Sequence, residues 1–119
     1  HAEMAVKSAI EIEEKTDELR QRYIAEGLPP INVGTGINTG SCIVGNMGSE
    51  SRFDYSVIGD AVNLAARLEA TAARGDYLEY KTIYSKATKD QLIDIESSPI
   101  GLIKVKGKEE EIEIYTHNR

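Results

Sequence analysis

Between residues 31 and 74 the hydrophobic period changes from that of a strand to that of a helix. That change restricts the chain to folds that mix the two. Ile31, Val33, Thr35 and Ile37 alternate along the chain, which predicts a strand with one face buried. Asn38 to Gly40 reads as a turn and Ser41 to Gly45 as a second short strand, so the pair is expected as a hairpin. After the loop "NMGSES", the run "RFDYSVI" is expected to deliver the chain as a strand to Gly59. Asp60 is then a candidate N-cap, Ala61 to Arg74 a helix, and Gly75 its stop.

The flanks extend the same pattern. Residues 1–26 predict a helix whose apolar face is Ala5, Ala9, Ile12, Leu19 and Tyr23, interrupted by Thr16. Its other face, with Glu13, Glu14, Asp17 and Glu18, is expected to be solvated. Gly27 is a candidate C-cap, and Pro29 and Pro30 block continuation. Further on, "KTIYS" predicts a strand, "KATKDQLI" a short helix, and "GLIKVKGKEEEIEIYT" two strands around a turn at Gly107. The order predicts an α+β fold: a mixed or largely antiparallel sheet with helices packed on it.

A chain of 119 residues, 40% hydrophobic, is one domain or part of one and can build a core. Its net charge of −6 argues against binding nucleic acid, which needs a basic surface. Cys42 is the only cysteine, so no disulfide forms within the chain. In the apolar run "CIV" it is expected as a small core residue. No apolar run approaches the roughly 18 residues of a membrane helix. His1 falls within what reads as a helix, which suggests a piece of something larger.

Three groups of residues invite chemistry. "GTGINTG" is one residue away from the dinucleotide fingerprint and lies in a predicted hairpin. "GSCIVGNM" has Asn46 where a phosphate loop needs Lys. These glycines read better as tight turns and close backbone packing. On the predicted helix after Gly59, Asn63, Arg67 and Arg74 share a face, while Leu64 and Leu68 with Ala61, Ala65 and Ala72 line another. Asn suits a sugar or amide, and Arg one turn away suits phosphate oxygens. The residues alone fit an amphipathic helix with a polar outer face better. In "KVKGK", Lys104, Lys106 and Lys108 could hold a polyphosphate or pair with Glu109, Glu110 and Glu111 at a hairpin tip. Glu50, Asp54 and Asp60 form no recognisable metal spacing, and His1 and His117 look like neither base nor ligand.

Together these motifs carry a resemblance. "GTGINTGSCIVGNMGSESRFDYSVIGDAVNLAARLE" resembles the most characteristic segment of the class III nucleotide cyclases, the adenylyl and guanylyl cyclase catalytic domains, and "IKVKGKEEEIEIY" resembles that domain's closing hairpin. The resemblance implies a ferredoxin-like cyclase domain lacking its N-terminal strands. It also implies a reaction: a purine nucleoside triphosphate is converted to its 3′,5′-cyclic nucleotide and pyrophosphate with two divalent ions, Mg2+ or Mn2+. Residue by residue, Asn63 matches the ribose-orienting asparagine and Arg67 the arginine that stabilises the phosphoryl group in the transition state. Lys106 matches the lysine at the terminal phosphates, and Ser56 the position that reads the purine edge.

Ser at that position tilts the expectation toward ATP over GTP, since its hydroxyl accepts from an adenine amino group. The family's metal-binding aspartates lie before the first helix seen here, so no metal ligand is assigned and the chain alone is expected to be inactive. The resemblance further implies a head-to-tail homodimer or a cyclase-domain partner, a cytoplasmic catalytic domain, and membrane attachment only through other domains. The alternatives are a guanylyl cyclase and a cyclase-like regulatory half that lacks a metal site.

Overall fold

The computed structural model describes residues 1–46, 55–74, 80–104 and 110–118, with the backbone alone at 45–46, 55–58 and 73–74. In chain order the elements are α1 (Ala2–Ala25), β1 (Thr35–Ile37), β2 (Ile43–Asn46), β3 (Tyr55–Ile58), α2 (Asp60–Arg74), β4 (Thr82–Ser85), α3 (Lys86–Lys89), β5 (Ser97–Lys104) and β6 (Glu111–His117). The expected α+β class holds, with a mixed sheet.

Four strands form one sheet in the order β1-β4-β6-β5, and β2 and β3 form a separate antiparallel ribbon. The β1–β4 pair is parallel, with Gly36 opposite Ile83. The β4–β6 and β5–β6 pairs are antiparallel. The expected β1–β2 hairpin is therefore a correction. β1 pairs with β4, 45 or more residues on, and β2 pairs instead with β3, Val44 opposite Val57. A parallel pair needs a crossover, and α2 lies in that crossover. The closing strands β5 and β6 pair antiparallel as expected, while the expected turn at Gly107 lies outside the described residues. β5 begins earlier, at Ser97, with a register irregularity between Pro99 and Gly101. The expected helix "KATKDQLI" shrinks to Lys86–Lys89, capped by Ser85, whose hydroxyl accepts from Thr88 N at 3.4 Å.

α1 ends as its sequence predicts. Gly27 takes a positive φ of 76°, Leu28 N donates to Tyr23 O at 2.9 Å and Gly27 N to Ile24 O at 3.1 Å, which together make a Schellman cap. The buried stripe of α1 differs from the expected one. Ala2, Val6, Ala9 and Glu13 are buried, whereas Ala5, Ile12 and Leu19 are exposed. The small residues let the helix approach the sheet where Val6 packs with Tyr84 and Tyr115, flanked by Ile10, Ile37, Leu92 and Ile95. At the start of α1, the backbone amides of Asp94 and Ile93 donate to Glu3 and hold its carboxyl below the usual carboxylate range.

A second core lies under α2: Leu68 and Ala72 pack with Ile83, Ile103 and Ile114. Here the glycines explain the fit. A Cβ on Gly36 would stand 2.2 Å from Glu69 N and 2.6 Å from Ala65 O, so α2 rests directly on the β1 backbone. A Cβ on Gly40 would stand 2.7 Å from the Ala61 Cβ. The reading of these glycines as close packing holds. Cys42 departs from expectation: it is exposed, beside Ile43 and Val44 on the ribbon, which are 71% and 64% exposed. The ribbon is its own two-stranded sheet, so these side chains have no core to enter.

Candidate active site

Gly59 turns the chain from β3 into α2. Its carbonyl accepts from Val62 N and Asn63 N, both at 3.1 Å, so Gly59 takes the capping place expected for Asp60, which is the first helical residue. The helix then runs to Arg74 as the pattern predicts. Asn63 and Arg67 are both exposed. Four residues apart, they sit about 40° apart around the helix axis and one turn apart along it. Leu68 and Ala72 point the other way, into the core. The helix thus divides as the spacing implies: an apolar side on the sheet, and an outer face that offers an amide and a guanidinium side by side. Such a pair can hydrogen-bond a sugar hydroxyl and grip a phosphate at once.

The other expected site residues are described less fully. Ser56 lies in β3, opposite Gly45 in the ribbon, on the strand that feeds α2. Its side chain is outside the described residues, as are the Arg74 side chain and Lys106, Gly107 and Lys108 entirely. Lys104 is exposed at the end of β5, opposite Glu111. Among the described residues no group of three or more His, Cys, Asp or Glu is placed to hold a metal ion.

The structure also builds a polar cluster that the residue pattern did not single out. Glu13, expected to be solvated, is buried. Its carboxylate is 2.7 Å from His117 Nε2 and accepts from Thr82 Oγ1 at 3.0 Å. Thr116 Oγ1 donates to Thr82 O at 2.7 Å beside it. The cluster borders an open cleft of about 420 Å³ shared with Tyr80, Lys81 and Ser98. Its signal was available: Glu13 continues the spacing of Ala2, Val6 and Ala9, and a carboxylate on a buried stripe needs a partner from elsewhere.

Residues 1–118 match the family described as the adenylate and guanylate cyclase catalytic domain. The chain is 36% identical over 118 residues to adenylate cyclase 1 of Rhizobium meliloti, across 97% of this chain and 17% of that protein. The solved adenylyl cyclase CyaB from P. aeruginosa superposes with a TM-score of 0.81 at 36% identity, covering 99% of this chain and 59% of that one. The guanylyl cyclase Cya2 gives the same TM-score at 31% identity, covering 98% and 57%. The chain belongs to the adenylate and guanylate cyclase catalytic domain family. It spans under a fifth of that curated relative's length and under two thirds of each of those solved chains. No helix among the described residues is long and apolar enough to cross a membrane.

Proposed function

We propose that this chain is part of an adenylyl cyclase, and that it supplies the groups that hold the base, ribose and phosphates of ATP. The observation that carries this reading is the exposed Asn63–Arg67 pair on α2, one turn apart and turned away from the buried Leu68 and Ala72. In the reaction the ribose 3′-oxygen attacks the α-phosphorus, the cyclic ester forms, and the bond to the pyrophosphate oxygen breaks. Asn63 orients the ribose so that the 3′-oxygen faces phosphorus. Arg67 stabilises charge that develops on the phosphoryl oxygens, a role worth orders of magnitude in rate when the group is preorganised. Ser56 reads the purine edge, and Lys106 contacts the terminal phosphates.

Divalent metal ions in such chemistry neutralise the phosphates and lower the pKa of the attacking hydroxyl. Their ligands, in this reading, come from residues outside the described set, and the 119 residues by themselves are expected to be inactive. The exposed Ile43 and Val44 favour a second cyclase domain against the ribbon, because solvent-facing apolar clusters mark contact surfaces. The catalytic domain is placed in the cytoplasm, where ATP is supplied. A guanylyl cyclase is the second reading, favoured by the equal TM-score to Cya2.

The test is Arg67→Ala in the full-length protein. Turnover of ATP should fall by about 10²–10³-fold, the range seen when one transition-state donor is removed, with a smaller change in KM. Unchanged turnover would remove Arg67 from the reaction. Turnover of GTP in preference to ATP would select the second reading.

A further inference from the structure

Asn38 follows β1 and belongs to no helix or strand, yet its side chain bonds to two elements, α2 and β4. Its Nδ2 donates to Ala61 O, in the first turn of α2, at 2.9 Å. Its Oδ1 accepts from Ser85 Oγ at 2.6 Å. A backbone carbonyl only accepts and the hydroxyl can donate, so this orientation of the amide satisfies both neighbours. Ser85 is 2% exposed and caps α3 through Thr88 N. Thr88, fully buried, shares a 2.9 Å hydrogen bond with Thr39. The start of α2 is thereby tied through Asn38 to the β4–α3 junction.

Where α2 meets β1 and the turn after it, the seat is smooth. Gly36 and Gly40 present backbone alone to Glu69, Ala65 and Ala61. Such contacts set how deeply the helix sits but resist sliding and rotation weakly, because dispersion has little directionality. A hydrogen bond is directional and fixes both. Ala61 lies two residues before Asn63 and six before Arg67 on the same rigid helix.

We propose that Asn38 is a positioning residue for the cyclase reaction: its amide sets the axial and rotational register of α2, and so the placement of Asn63 and Arg67 against the nucleotide. The proposal rests on the reading of Asn63 and Arg67 given above. It assigns Asn38 no contact with substrate. A displacement of about 1 Å in a group that aligns reacting atoms costs roughly 10²-fold in rate.

The test compares Asn38→Asp with the parent and with Arg67→Ala in the full-length protein. Asp is the same shape and keeps an oxygen for Ser85, but it sets an oxygen against Ala61 O where a donor stood. Asn38→Asp should lower kcat about 10- to 100-fold, with KM for ATP moved by less than about threefold. In the Arg67→Ala background the same change should cost clearly less than in the parent, because one of the two groups being positioned is already gone. Asn38→Ala, which removes the amide without adding charge, serves as the second variant and should behave alike if Asn38→Asp does not fold. Parent-like kcat in the folded variants overturns the proposal. So does an equal fold-loss with and without Arg67, which is what general destabilisation gives. Should Arg67→Ala itself keep full activity, the reading of Arg67 fails instead, and the two failures are distinguished.

Discussion

Glu13 and His117 lie 104 positions apart in the chain and 2.7 Å apart in space, at 7% and 6% side-chain exposure. Each has left water, and each is compensated by the other, with Thr82 as a further donor to the carboxylate. Removing one member of such a pair leaves the other buried without its partner. Glu13→Ala is therefore expected to destabilise the fold by about 1–3 kcal/mol, read as a lower urea midpoint at unchanged slope. Glu13→Gln, which keeps an acceptor, should lose less. An unchanged midpoint for Glu13→Ala would mean that the cluster does not hold α1 to β4 and β6. Residue-scale legibility depended on where the partner sits. The shared exposed face of Asn63 and Arg67 was readable because helical spacing is set within one short segment. Glu13 was misread as solvated because its partners, Thr82 and His117, are remote in sequence.

At the scale of elements, α2 and β1 touch backbone to backbone. Gly36→Ala forces a methyl to within 2.2 Å of Glu69 N unless the helix moves. Overpacking of this kind costs about 1–3 kcal/mol, so the melting temperature should fall by several degrees. If the contact is as tight as the geometry states, cyclase activity should fall further than stability alone explains, because the displaced helix carries Asn63 and Arg67. A variant with parent-like melting and activity would contradict direct seating of α2 on β1. The elements most legible in sequence were those with long, unambiguous periods: α2, the closing strands and the extent of α1. The β1–β2 hairpin was misjudged because a turn signal at Asn38–Gly40 is local, whereas the parallel pairing of β1 with β4 is decided by strands brought together through α2. The face of α1 was misjudged because two apolar stripes run along it, and the one with small side chains packs more closely on Tyr84 and Tyr115.

At the scale of the molecule, the four-stranded sheet with α2 seated on it and the β2–β3 ribbon have one consequence for the site. Among the described residues they leave Asn63 and Arg67 on an exposed helix face. The chain covers 59% of the CyaB structure. The family was legible from the segment around Asn63 and Arg67 and from the closing strands, because their motifs are distinctive. The base and terminal-phosphate contacts rest on the motif, since the Ser56 side chain and Lys106 lie outside the described residues. The most direct measurement is product analysis of the purified full-length protein given ATP or GTP with Mg2+ or Mn2+. Cyclic AMP and pyrophosphate, formed in equal amounts and preferentially from ATP, are the predicted result. Formation of neither cyclic nucleotide under either metal would contradict the account.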